Sequence, residues 1–313
     1  MTRQWIRDVS LTIDAGGETI DVSNLRIRFK VTQNRLQTPN AAEITITNLK
    51  EETAQKIKKE GQSVTLSAGY QGVREVIFRG NLIQKRTGRE NPVDTYCSLL
   101  ATSGDKAYNF ATVSKTLAAG STFKDQVDVV LEAFKPHGIT AGYIADLGTK
   151  QMPRPRVLFG MARDVMRDIA FSTGSSWFIE NDKLNITKNN EPRPGEAFVI
   201  NSNTGMIGRP VQTLDGIIVR MLLNPKVRPD TRLKIDQSSI DQAAFSPNYT
   251  AEVQNSMIPS LADDGLYRVL VADLIGDTEG NIYYTDATCI RADGQGPQPI
   301  RLVQQGIDLD PGQ

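Results

Sequence analysis

A two-residue hydrophobic rhythm runs through the first hundred residues of the chain and returns after about residue 215, and a polypeptide built on it must fold mainly as sheet. Leu25, Ile27, Phe29 and Val31 alternate with Arg26, Arg28 and Lys30, and Ala42, Ile44 and Ile46 alternate with Glu43, Thr45 and Thr47. Successive side chains of a strand point to opposite faces, so each run buries one face and offers the other to water. Val64, Leu66, Ala68 and Tyr70 repeat the pattern, Val76 and Phe78 precede Gly80, and Tyr96, Ser98 and Leu100 close the set. Turn-rich stretches such as AGYQGVRE and KRTGRENP separate the runs. An antiparallel barrel or sandwich carrying one short helix follows. Asn48 stands where it would cap that helix, with Glu51 three residues on; Leu49, Thr53 and Ile57 share a face before Gly61 ends it.

The rhythm changes near residue 105. STFKDQVDVVLEAFKPHG spaces Phe123, Val127, Val130, Leu131 and Phe134 as one face of a helix, and FGMARDVMRDIAFSTG does the same with Ala162, Val165, Met166 and Ile169. SSWFIENDKLNITK reads as a hairpin with Asn181, Asp182 and Lys183 near the turn and Leu184 and Ile186 on one face. After the turn-rich NNEPRPGE the strands resume: Ile217, Val219, Met221 and Leu223 alternate, then Leu233 and Ile235, and GLYRVLVADLIGDTEGNIYYTDATCI forms a long hairpin turning between Gly276 and Asn281. Residues 236–265 lie between, polar and weakly patterned, and predict a long loop. The expected organisation is an α+β, mainly β chain: a β module over 1–104, a small α/β module over 105–192 and a second β module over 193–313.

Composition narrows the function classes. With 39% hydrophobic and 23% charged residues the chain is globular in character, and its apolar runs fall short of the roughly 18 residues a bilayer span requires. No apolar segment follows the N-terminus as in a secretory signal, so folding in a cytoplasm is expected. Cys97 and Cys289 each sit inside an alternating run and are expected as reduced, buried thiols. Net charge is zero, with +4 over residues 1–100 and −5 over residues 201–313, and nothing resembles the dense basic face of a nucleic-acid-binding domain.

Catalytic chemistry finds few parts. The single histidine, His137, lies in FKPHG at a helix end, where it suits the C-terminal dipole. GxSxG, HExxH, CxxC and a phosphate-cradling glycine loop with lysine do not occur. Asp263 with Asp264, or Asp277 with Glu279, offers a carboxylate pair, but both sets stand beside glycines; GDTEGN has the residues of a tight turn and lacks calcium-loop spacing. Trp177, Phe178, Tyr283 and Tyr284 lie in strands, where core or interface roles outweigh a sugar-stacking platform. No catalytic residue, metal site or cofactor is expected.

The order of motifs carries more than any single site. NAAEITITNL entering a helix, VTLSAGYQG, VIFRGNLIQ, the LFGMARDVMRDIAFSTGSSWFIENDKLNI unit, GMIGRP, LLNPKVRPDTRLKID and the closing hairpin together resemble the baseplate hub proteins of phage tails, over nearly the whole chain. That resemblance implies two tail-tube-like antiparallel β-barrel modules per chain and a homotrimer forming a ring of six similar barrels. Such a ring would join a sixfold tail tube protein to a threefold central spike protein, beside other baseplate proteins. Tape-measure protein and DNA would pass its channel without specific binding, and the chain would belong to the virion tail, assembled in the host cytoplasm without membrane insertion. Because the sequence closes at DLDPGQ soon after its last strand, any lytic domain is expected on another protein. The competing readings are a cell-surface carbohydrate-binding β protein and a cell-wall hydrolase using a carboxylate pair. In the hub reading the middle module lies at the periphery, and the stripe Arg26, Arg28 and Lys30 meets Asp263, Asp264, Asp273 or Asp286 across a subunit boundary.

Overall fold

The computed structural model describes residues 6–35, 38–57, 61–189, 191–243, 258 and 260–293. The first stretch contributes β1 (Arg7–Asp14), β2 (Thr19–Asp21), β3 (Ile27–Asn34), β4 (Ala41–Thr47), helix α1 (Glu51–Lys56), β5 (Ser63–Tyr70), β6 (Glu75–Arg89) and β7 (Thr95–Thr102). The middle contributes α2 (Asp105–Phe110), β8 (Thr112–Leu117), α3 (Phe123–Phe134), β9 (Thr140–Ile144), β10 (Arg156–Met161), α4 (Ala162–Ser172), β11 (Ser175–Glu180) and β12 (Lys183–Lys188). The last contributes β13 (Phe198–Ile200), β14 (Val211–Thr213), β15 (Gly216–Leu222), β16 (Arg232–Ile235), β17 (Leu266–Asp277) and β18 (Tyr283–Arg291). Of the polar stretch 236–265, a short 3₁₀ turn at Gln237–Ser239 is described, and residues 244–257 and 259 lie outside the described residues.

The strands of the first and last stretches lie in one large, predominantly antiparallel sheet. Among the described residues it has 13 strands in the order β14-β15-β18-β17-β3-β4-β7-β6-β5-β1-β2, with β13 and β16 off this path and no closed barrel. The join is β3 against β17, which sets Lys30 opposite Ile275 and Thr32 opposite Asp273. β17 changes partner along one side, pairing β16 near Arg268 and β3 from Val271 onward, and against β18 on its other side the register shifts between Val269 and Val271. Alternation fixes the inner face: Ile27, Phe29 and Val31 of β3, Ile44 and Ile46 of β4, Val219 of β15 and Leu274 of β17 enter one continuous hydrophobic core. Tyr283 ties the closing hairpin to the first stretch, its hydroxyl donating to the Gly69 carbonyl at 2.7 Å and accepting from the Gly69 amide at 3.0 Å. Its ring meets Phe29 and Tyr70 edge to face at 6.2 and 5.4 Å, the geometry aromatic quadrupoles favour.

Asn48 differs from its sequence reading. It adopts a left-handed conformation, φ 56°, and its side chain turns away from the helix. Its Oδ1 accepts from the Thr95 amide at 2.9 Å and its Nδ2 donates to Asp94 at 2.8 Å, so it pins the end of β4 to the start of β7. Helix α1 therefore begins at Glu51 without a side-chain cap. The local cap signature was present, but asparagine also tolerates the left-handed region and found better partners across the sheet.

A second core fills the middle of the chain. Val127, Val130 and Phe134 of α3 and Met166 and Ile169 of α4 pack on Trp177, Leu184 and Ile186 of the β11-β12-β9 sheet. Thr122 and Asp125 form a reciprocal capping box at the start of α3. Asn181 and Asp182, at φ 51° and 61°, turn the β11–β12 hairpin as a two-residue loop requires.

The two cores meet through polar groups. Arg35, fully buried beyond β3, pairs with buried Asp230 at 3.1 Å and donates to the Lys188 carbonyl at 3.2 Å. Arg228 pairs with Glu75 at 3.2 Å and Glu180 at 3.4 Å, and the Asn181 side chain donates to the Val76 carbonyl at 3.4 Å. Arg268 is 0% exposed, and among the described residues none of its three guanidinium nitrogens has a hydrogen-bond partner. Burial and the nearby Arg35 charge push it down to about 9, against the opposing pull of Asp230 and Asp293. Cys97 and Cys289 are both buried thiols, and burial pushes both upward, so neither is a ready nucleophile.

Candidate assembly interface

The outer face of the sheet, opposite the core, gathers the charges expected to matter. Register places Arg220 of β15, Asp286 of β18, Asp273 of β17 and Thr32 of β3 in one row across four strands. Leu222, Tyr284, Ile275, Lys30 and Glu43 form the next row. The basic stripe and its acidic complements thus occur side by side in a single chain, because β3 and β17 are neighbours.

Most of the predicted interface residues are engaged locally. Arg26 grips Asp277 through two bonds of 2.6 and 3.1 Å, and Arg28 grips Glu90 at 2.6 and 2.7 Å. Asp273 accepts from the Thr32 hydroxyl at 2.6 Å, while Asp286 receives both arms of Arg220 at 2.7 and 2.8 Å. Lys30 is exposed between Ile275 and Glu43, and Asp263 and Asp264 are exposed at the turn entering β17, where Asp264 accepts from the Leu266 amide at 2.9 Å.

Asp277 organises the GDTEGN turn. Hydrogen bonds from Arg26, then from the Glu279 and Gly280 amides, outweigh burial and lower its carboxyl to about 2. Arg7 donates to the carbonyls of Asp277 and Gly280, and the Ile27 amide donates to the Thr278 hydroxyl, so the turn is clamped onto β1 and β3. A carboxyl lowered on folding stabilises above its unfolded value and loses that contribution as pH falls from about 3.8 toward 2. Asp277→Asn should therefore cost about 1–2 kcal/mol at neutral pH and almost nothing near pH 2. Urea midpoints of both proteins at the two pH values check this; a gap that persists in acid would refute it.

Apolar side chains complete the face. Val211 and Ile218 are directly opposed on β14 and β15 and remain 44% and 37% exposed, next to Leu214 at the hairpin turn, 41% exposed. The far side of β14 is met by Asp241, whose carbonyl accepts from the Gln212 amide, so contact here would run through side chains rather than by strand addition. A second exposed apolar group lies on the middle module: Val157 and Phe159, on the outward face of β10, are 69% and 80% exposed, with Phe110 and Phe171 at 69% and 85%. Sequence reasoning passed over both groups. The signal for the first was the double apolar pair in GIIVRMLL, which leaves apolar residues on both faces of one strand.

The residues weighed for catalysis serve other ends. His137 closes a 3₁₀ turn after α3, and Trp177, Phe178 and Tyr283 are at least 96% buried, which leaves only Tyr284 of that aromatic set on the outer face, beneath Arg220 at 4.2 Å. Among the described residues no group of three or more histidine, cysteine, aspartate or glutamate side chains is placed to hold a metal ion.

Comparison with known proteins gives the context for this face. A family model described as Baseplate hub gp41 matches residues 6–252. No curated protein matches the chain. In fold it is similar to the 43 kDa tail protein of prophage MuSo2 from Shewanella oneidensis, with a TM-score of 0.59 and 10% identity over 94% of this chain and 99% of the other. The tail protein from Neisseria meningitidis MC58 gives 0.58 and 10%, covering 91% and 96%. An E. coli component of the type VI secretion system, described as structurally similar to the T4 tail proteins gp27 and gp5, gives 0.54 and 9%, covering 93% and 79%.

Proposed function

The chain belongs to the Baseplate hub gp41 family, and from that premise we propose that it is the adaptor through which a phage tail changes symmetry. It is a structural component of the tail baseplate. In this reading three copies close into a ring, each supplying two tail-tube-like units from residues 1–104 and 193–313, with 105–192 set at the periphery. Six similar units face the sixfold tail tube protein, and the threefold assembly seats the central spike protein. The bore passes tape-measure protein and DNA without specific binding, and assembly takes place in the host cytoplasm.

The observation that carries the reading is the outer sheet face, where an exposed apolar pair, Val211 and Ile218, borders a ladder of charges. Apolar centre and polar rim are the anatomy of a protein interface, and a cyclic ring needs two different surfaces on each copy. Lys30 would meet Asp263 or Asp264 of a neighbouring copy, while Arg26, Arg28, Asp273 and Asp286 hold the face in shape. The exposed residues of β10 suit neighbouring baseplate proteins. Class averages of the purified chain by cryo-electron microscopy, alone and with tube and spike partners, should show a threefold ring with six similar lobes. Monomers persisting with both partners present would overturn the proposal.

A further inference from the structure

Where the middle module meets the sheet, a cleft of about 640 Å³ opens between β6, β9 and the β11–β12 hairpin. Four cations line it, Arg79, Lys183, Arg193 and Arg228, against two carboxylates, Glu75 and Glu180. Arg228 is spent on both carboxylates. The other three cations form no ion pair among the described residues; Arg79 only feels the field of Asp182, whose carboxyl burial pushes upward. Arg193 stands over the faces of Tyr143 and Phe178, 5.3 and 5.9 Å from the ring centroids, and its buried Nε and Nη2 have no hydrogen-bond partner. Glu180, 4% exposed, already has its buried Oε1 in an ion pair with Arg228 Nη1 at 3.4 Å.

Buried polar atoms without partners cost free energy unless something completes them. The missing groups are acceptors for Arg193, framed by the positive charge of Arg79 and Lys183. We propose that this cleft binds an acidic peptide segment of a neighbouring baseplate protein, its carboxylates reaching Arg193, Lys183 and Arg79. A phosphate group fits less well, since it gathers its charge at one point, whereas the carboxylates of a peptide can spread over cations carried by β6, β12 and the segment after β12. A nucleic acid base finds the Tyr143 and Phe178 faces already covered by Arg193. The volume is that of an ordinary ligand pocket, enough for a few residues. The identity of the partner class rests on the hub reading; the anion preference rests on the cleft alone.

The probe is a fluorescein-labelled hexapeptide of alternating glutamate and aspartate, blocked at both ends, titrated against the full chain by fluorescence anisotropy at low salt. Saturable binding is expected, at least tenfold weaker for Arg79→Glu and for Lys183→Glu, both exposed positions whose reversal leaves the fold intact. The matching glutamine and asparagine peptide should not bind. Absence of saturable binding to the intact chain, or equal affinity in both variants, overturns the proposal. So does displacement by inorganic phosphate or single-stranded DNA at concentrations as low as those of unlabelled acidic peptide. Microscopy of the same preparations separates the two ideas: rings without peptide binding discard the cleft alone, and peptide binding without rings discards the ring alone.

Discussion

Asp230→Asn is expected to lower the stability of the folded chain by about 3–5 kcal/mol, the range for breaking a buried ion pair by removing one partner. Asp230 is 0% exposed and is the carboxylate between two buried guanidinium groups, paired with Arg35 at 3.1 Å and drawing on Arg268. Its backbone is left-handed, φ 65°, a conformation asparagine accepts, so the substitution removes charge without straining the turn. The melting temperature should fall by roughly 5–15 °C. Arg268→Met is the counterpart and should be neutral or stabilising, because it removes a buried cation without hydrogen bonds among the described residues and leaves Asp230 paired with Arg35. In the double variant the cost of losing Asp230 should shrink. Melting curves of the three variants decide the matter, and an Asp230→Asn protein that melts within a degree or so of the parent would mean that water already neutralises the cluster.

Val211→Glu combined with Ile218→Glu should weaken ring formation about 100-fold while leaving the isolated chain folded. Both side chains are part exposed on the outer face, so the monomer loses little, whereas in a contact each apolar side chain gives about 1 kcal/mol or more and a carboxylate there must shed water. Sedimentation velocity with tube and spike partners measures the shift. Lys30→Glu, on the same face, should act more weakly: an exposed pair is worth about 0–1 kcal/mol, so assembly slows a few-fold at low salt and recovers near 1 M, where screening acts over about 3 Å. Unchanged assembly of the double glutamate variant would remove this face from the interface.

The sequence disclosed elements better than partners. Period-two runs gave the inner faces of β3, β4, β5 and β15, and helical spacing located α3 and α4, because these signals are local. The β11–β12 and β17–β18 hairpins were legible from their turn residues. What alternation cannot state is which strand lies beside which. The pairing of β3 with β17 was therefore invisible, and with it the engagement of Arg26 by Asp277 and the nearness of Lys30 to Ile275. Arg268 fell outside pattern reasoning because a charged residue in an alternating strand reads as solvent-facing, yet it is fully buried in the field of Arg35 and Asp230. The cleft was equally hidden, since Arg79 lies far along the chain from Lys183 and Arg193.

The seam between β3 and β17 also sets a timetable for biosynthesis. Thr32 and Asp273, bonded across it, are 241 residues apart, so during synthesis β3 waits with one bare edge until nearly the whole chain has been made. Contacts of such long sequence separation slow folding, and an unpaired strand edge invites association with other chains in the interval. The same delay acts as an inspection step. The outer face that would join copies together exists only when β15, β17 and β18 stand beside β3, so a truncated or stalled chain would lack it.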